Sequence, residues 1–200
     1  METIRYTKMD RQEIINTLMH RGILAFPTDT VFGLACIMDK EAMEKVYAAK
    51  DRDRDKPLPM MCCDLEMIRH VAEVSETAEK VIRHFIPGPL TVILKKKKEV
   101  EDYVTQGKDT IGIRVPDDEF ILDLIRKLDQ PLMVTSANIS GDGSLLKWKD
   151  VLSCMDSRID GIVCEDARGE KASTIADLTE ELRILREGPI SLREIEEVIQ

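Results

Sequence analysis

Hydrophobic positions along the chain fall into short blocks separated by polar, turn-forming stretches. Helical spacing is clearest at Ala78, Val81, Ile82 and Phe85, which share one face of a helix predicted from Ser75 to Phe85. Asp10-Arg-Gln-Glu13 has the form of an acidic capping box, and Gly22 can stop the helix that follows it. Asp39 can cap a second helix through Ala49, Asp64 a third, and Asp117 or Asp118 one that reaches Leu128. Trp148 to Met155 also reads as a helix, and Ser191-Leu-Arg-Glu194 is a full capping box for a terminal one. Between these lie runs that read as strands: Ile23–Phe26, Leu58–Cys63, Leu90–Leu94, Thr110–Val115, Pro131–Thr135, Gly161–Cys164, Ser173–Leu178 and Leu182–Arg186. Helices and strands alternate, but several strands follow one another directly. The expectation is an α/β fold built on one twisted, mixed sheet flanked by helices.

Composition adds a scale and some exclusions. With 200 residues, 43% of them hydrophobic, the chain can bury one sizeable core, and a single domain over residues 1–200 is expected. The first residues are charged, and no apolar run approaches the length of a membrane span, so a soluble cytoplasmic protein with no membrane partner is expected. The five cysteines (Cys36, Cys62, Cys63, Cys154 and Cys164) show no Cys-x-x-Cys spacing, which favours reduced thiols over a metal site. The three histidines, His20, His70 and His84, fall in or at the ends of predicted helices and outside every polar motif. A net charge of −9 argues against a whole-body grip on nucleic acid but leaves room for a local basic pocket.

The candidate chemistry sits in segments that follow apolar runs, where open α/β sheets bind ligands. Pro27-Thr28-Asp29-Thr30 offers two hydroxyls and a carboxylate, which suit an ordinary turn as well as a pocket wall. Lys50-Asp-Arg52-Asp-Arg54-Asp-Lys56 alternates charge. It can be a solvated loop of internal ion pairs, or a phosphate site with Lys as point charge and Arg as planar fork. The run Lys95 to Lys98 reads as a solvated strand end. Pro87-Gly88-Pro89 is a rigid stop, with Thr91 a weaker contact just beyond it. Arg114, inside a strand of β-formers, must face solvent, an anion or a partner carboxylate. Ser136-Ala-Asn138-Ile-Ser140-Gly141 is a small, hydroxyl- and amide-rich turn suited to ligand oxygens. No neighbouring base and no Gly-x-Ser-x-Gly elbow make Ser136 a nucleophile, so a serine hydrolase is disfavoured. Ser173-Thr174 and Arg186-Glu-Gly188 are weak signals taken singly.

The order of these segments from Ile23 to Ile190 resembles the YrdC/YciO-type threonylcarbamoyl-AMP synthase family: PTDT-V-F-G-L, K-x-R followed by P-L, PGPLT, R-V-P, S-A-N-x-S-G, S-T-I and R-x-G. The resemblance implies a mainly parallel sheet around a large, positively charged cavity. It also implies the condensation of L-threonine, bicarbonate and ATP to threonylcarbamoyl-AMP and pyrophosphate, which feeds the t6A modification of tRNA. By motif position it implies that Thr28, Arg114, Ser136 and Ser173 hold threonine. Lys50, Arg52, Thr110, Asn138 and Arg186 would hold ATP, with Lys50 and Arg52 in the catalytic role. ATP would be a substrate, Mg2+ the accompanying ion, and no protein metal ligands are implied. Transfer RNA or double-stranded RNA and proteins of the t6A pathway are the implied partners. Longer members carry a further C-terminal domain, which is not expected here. Met61 stands where the family pattern P-L-x-x-H has histidine, and Asp53 where proline is usual. The stretch Leu58 to Leu65 looks closer to the YciO branch, which makes a nucleotide- or double-stranded-RNA-binding protein with weak or altered synthase activity the alternative.

Overall fold

The computed structural model describes residues 2–200. In chain order the first half contains β1 (Ile4–Tyr6), α1 (Arg11–Met19), β2 (Leu24–Phe26), β3 (Gly33–Ile37), α2 (Lys40–Lys50), β4 (Met60–Met61), α3 (Leu65–Val71), α4 (Glu76–Phe85) and β5 (Leu90–Lys95). The second half contains α5 (Asp102–Thr105), β6 (Thr110–Arg114), α6 (Glu119–Leu128), β7 (Leu132–Ser136), α7 (Trp148–Met155), β8 (Gly161–Val163), β9 (Thr174–Asp177), β10 (Arg183–Arg186) and α8 (Leu192–Ile199). All ten strands join one sheet in the order β1-β8-β2-β3-β7-β4-β6-β5-β9-β10.

The sheet is mixed and flanked by helices, as the patterning predicts. Its balance differs from the mainly parallel sheet that the resemblance implies, because five pairings are antiparallel (β2·β3, β3·β7, β4·β7, β5·β6, β9·β10) and four parallel (β1·β8, β2·β8, β4·β6, β5·β9). Connection length explains part of this. The segments joining β2 to β3 and β9 to β10 are too short for a crossover, so those strands can only turn back on their predecessors.

The predicted caps hold at Asp39, Asp64 and Asp118, and Ser75 adds one on α4; all four side chains accept from backbone N–H groups of the first helical turn. The Ser191–Glu194 capping box closes in both directions. Asp10 does not cap α1 with its side chain. Its carboxylate instead accepts from the Thr7 amide at 2.6 Å and the Thr7 hydroxyl at 2.8 Å, so it closes the preceding turn. Three elements have no counterpart in the sequence pattern: β1, β3 and the short α5. In β3, Gly-Leu-Ala-Cys-Ile is buried on both faces and so shows no alternation. The core runs along both faces of the sheet, with Phe26, Leu34, Met60, Ile113 and Leu132 at its centre. α1 packs beside α6, and α4 beside α8. Among the described residues no helix is long and apolar enough to cross a membrane.

Candidate functional site

The polar turns converge on one cavity of about 450 Å³. Its floor is formed by β4, β6 and β7, and its walls by the turn after β2, the loop before β4, and β9 and β10. Of the residues singled out in the sequence, Thr28, Arg52, Thr110, Arg114, Ser136, Ser173 and Arg186 line it. Lys50 and Asn138 are not in its wall.

One end of the cavity is organised by Arg114. This residue ends β6 and is almost fully buried. Its Nε donates to the Gly88 carbonyl at 3.0 Å, one Nη to Thr30 Oγ1 at 2.6 Å and the other to Asp29 Oδ1 at 2.6 Å. A guanidinium has five N–H groups, so these three bonds leave one on each terminal nitrogen for a ligand. The Pro87-Gly88-Pro89 turn, with a cis Ile86–Pro87 bond, therefore contributes the carbonyl that orients the arginine. Thr28 Oγ1 donates to the Val31 carbonyl at 2.7 Å, so in its 3.0 Å contact with Thr30 the Thr30 hydroxyl is the donor. Arg114, Thr30 and Thr28 thus form a directed chain. Burial pushes the Arg114 pKa down, while the Asp29 carboxylate opposes that shift.

A second cluster faces it. Ser173 Oγ lies 2.7 Å from Thr91 Oγ1, and Arg186 reaches the same serine with Nη2 to Oγ at 3.2 Å and Nε to the carbonyl at 3.0 Å. Arg186 stands at the rim, exposed on its outer side. Partial burial of its guanidinium lowers its pKa first, and the charge of Arg114 lowers it further. A guanidinium depressed by a second one across a shared cavity belongs to a site that an anion relieves.

Two glycines let the loops approach. A Cβ on Gly188 would stand 2.4 Å from the Thr174 amide nitrogen and 2.6 Å from the Ala172 carbonyl. A Cβ on Gly169 would stand 2.4 Å from the Thr30 carbonyl. Gly188 closes the Arg-x-Gly segment of the sequence, whereas Gly169 carries no sequence signal beyond its identity.

Around the Lys50–Lys56 segment the charged residues divide between the surface and the cavity. Arg54 pairs with Glu44, and Asp51 with Arg158 at 2.9 Å, as in a solvated loop. Arg52 turns inward to the cavity and is tied to its own loop through the Lys56 and Pro57 carbonyls at 3.0 and 3.1 Å. Burial lowers its pKa, with Tyr47 opposing. Lys50 is 1% exposed and lies behind the Ser136–Asn138 turn. Its Nζ donates to the Ser136 carbonyl at 2.5 Å, the Asn138 carbonyl at 2.6 Å and Asn138 Oδ1 at 3.3 Å. Asn138 Nδ2 closes the same turn onto the Ile139 and Asp142 carbonyls, both at 2.8 Å.

Sequence reasoning missed Lys108 and Asp177, which also line the cavity. Lys108 follows the positive-φ pair Gln106 and Gly107 at the start of β6, and its only sequence signal was a basic residue preceding a strand. The cavity wall thus carries Arg52, Lys108, Arg114 and Arg186 against the single carboxylate of Asp177, a local reversal of the chain's net charge of −9. The thiols stand apart from this site. All five are free, and burial pushes Cys36 and Cys62 far up and Cys63 to about 11.

A mixed α/β sheet with a cationic, hydroxyl-lined cavity over its centre defines a binding fold for a small anionic ligand. The chain belongs to the Sua5/YciO/YrdC family, described as telomere recombination, whose profile matches residues 16–188. It is 38% identical over 181 residues to the threonylcarbamoyl-AMP synthase of Pyrococcus abyssi, covering 88% of this chain and 53% of that protein. The crystal structure of P. abyssi Sua5 complexed with L-threonine superposes with a TM-score of 0.88 at 33% identity, covering 99% of this chain and 60% of that one. Escherichia coli YciO shares the fold at a TM-score of 0.83 and 24% identity, with 97% of this chain and 98% of that one covered. The chain spans about half the length of the curated synthases from P. abyssi and Bacillus subtilis that it matches.

Proposed function

We propose that the chain is an L-threonylcarbamoyladenylate synthase acting on L-threonine, bicarbonate and ATP. The observation that carries this is the cationic cavity: Arg114 with its hydroxyl chain and the Ser173–Arg186 pair at one end, and Arg52 and Lys108 elsewhere on its wall. The two free N–H groups of Arg114 suit an amino-acid carboxylate. Ser136, Ser173 and Thr28 are the polar groups around the rest of threonine. Arg52, Arg186 and Thr110 are the groups for ATP.

The reaction is written in two steps. The threonine amine and bicarbonate join with loss of water to give a carbamate. A carbamate oxygen then attacks the α-phosphorus, the bond to the β-phosphate bridging oxygen breaks, and pyrophosphate leaves. Charge grows on the transferring phosphoryl group and on pyrophosphate, and fixed guanidinium and ammonium groups in a confined site stabilise it. No histidine base is required. Mg2+ neutralises phosphate charge when it accompanies the nucleotide. Among the described residues no group of three carboxylate, histidine or cysteine ligands forms, so the phosphates would supply most of its coordination, with Asp177 the carboxylate within the cavity. The product would serve the t6A modification of tRNA in the cytoplasm, with proteins of that pathway as partners.

A second reading, a nucleotide-binding relative with altered amino-acid preference, is favoured by Met61, an apolar side chain in the cavity wall where the family pattern has histidine. One experiment separates them. The protein is incubated with ATP, magnesium, bicarbonate and each amino acid in turn, and the adenylates are identified by mass spectrometry. Threonylcarbamoyl-AMP formed only with threonine and bicarbonate supports the synthase. A different aminoacyl-carbamoyl adenylate supports the second reading, and no adenylate with any amino acid overturns both.

A further inference from the structure

Lys50 is a buried cation whose three acceptors are all uncharged oxygens. An ammonium has three N–H groups, so these acceptors saturate it and leave no donor for a phosphate. The linkage runs both ways, because the Lys50 carbonyl at the C-terminal end of α2 accepts from the Ser140 amide at 2.9 Å. The turn is held from the far side as well, where the Ala137 amide donates to the Phe32 carbonyl at 2.8 Å. We propose that Lys50 is a positioning residue: it draws the Ser136 and Asn138 carbonyls to one point and so sets Ser136 at the amino-acid end of the cavity, without touching the nucleotide. This rests on the synthase reading for the identity of the amino acid.

The clamp depends on charge. Burial, and then the neighbouring Arg52, push the Lys50 pKa down to about 8, with Cys154 of α7 opposing. Cys154 itself lies near Asp142 and Arg158, and burial raises its thiol. A neutral amine has two N–H groups for three acceptors and turns a lone pair toward one oxygen, so the turn loosens as Lys50 loses its proton.

The test is calorimetric titration of the full chain with L-threonine, in the absence of nucleotide, at about pH 7 and about pH 8.7. Wild type is expected to bind about fourfold more weakly at the higher pH. Lys50→Met is expected to bind about tenfold more weakly than wild type at pH 7, with the wild-type decline between the two pH values removed. Both proteins share any contribution from the threonine amine, so the difference between their profiles reports Lys50. Ser136→Ala is a second arm that does not touch the buried lysine, and it should also flatten the profile. Threonine binding by Lys50→Met at wild-type strength, or a Ser136→Ala profile as steep as wild type, overturns the proposal while leaving the synthase reading intact. Wild type that binds no threonine at either pH overturns the two together.

Discussion

Arg114 and Asp29 form an ion pair at 2.6 Å with side chains only 7% and 11% exposed, the most buried ion pair among the described residues. Removing one partner of such a pair leaves a buried charge without compensation, which typically costs about 3–5 kcal/mol. Asp29→Ala is therefore expected to lower stability by that order. Asp29→Asn keeps a neutral acceptor of the same shape and should cost less, while releasing the guanidinium from its fixed orientation. Urea denaturation midpoints check the first effect. The second appears as a raised KM for threonine with ATP saturation unchanged, and an unaltered KM in a folded Asp29→Asn protein would count against the orienting role.

The cations assigned to ATP should be separable in part from this pair. Arg52 is held by its own loop and Arg186 by Ser173, so truncating either removes a cation without opening the core. Arg52→Ala is expected to weaken ATP binding by about tenfold or more, the scale of a lost charge-assisted hydrogen bond. Threonine affinity measured without nucleotide should stay near wild type in Arg52→Ala. Arg186→Ala should reduce both, because Arg186 also fixes the Ser173 hydroxyl at 3.2 Å. Parallel calorimetric titrations with each substrate test the split, and equal losses for both substrates in Arg52→Ala would show that the two groups are not independent.

Much of this frame is legible in the sequence because it is local. The Asp39, Asp64, Asp118 and Ser191 caps lie within a few residues of the amides they satisfy. Strand β3 escapes because its residues are buried on both faces, and β1 because three residues at a sheet edge carry too little pattern. The motif segments point to a pocket, yet which side of a wall a residue occupies depends on contacts across the chain. Lys50 and Arg52 are two residues apart, but one lies behind the Ser136–Asn138 turn and the other faces the cavity. Lys108 and Asp177 carry no motif at all and reach the cavity through the pairing of β5 with β6 and β9.

Gly188 should be intolerant of any side chain. A Cβ there would meet backbone atoms of Thr174 and Ala172 within 2.6 Å, and backbone cannot rotate away as a flexible side chain can. Gly188→Ala is expected to push β10 from β9 and so separate Arg186 from Ser173. The outcome would be a loss of at least about 1–3 kcal/mol, the usual range for overpacking, with a larger proportional loss in threonine binding. Urea denaturation and threonine titration of the same preparation measure both. A variant as stable as wild type would mean that the Arg186 loop can move out without strain.

Met61 offers a gain-of-function test. It is buried, lines the cavity and is the registered neighbour of Arg114 across the parallel β4–β6 pairing. Its thioether gives the wall bulk but only a weak hydrogen-bond acceptor at a place where the family pattern has histidine. Met61→His puts an imidazole beside a guanidinium, whose charge disfavours a second cation and keeps the ring neutral at about pH 7. A neutral imidazole has one donor and one acceptor and can bond the hydroxyl of threonine. The expected result is threonine binding tighter by about fivefold to tenfold, the worth of one hydrogen bond, with serine gaining alongside and alanine unchanged. Competition among the three amino acids, followed by the mass of the adenylate formed, measures this. Equal gains for alanine would show that the histidine acts on the shared backbone of the amino acid and not on its side chain.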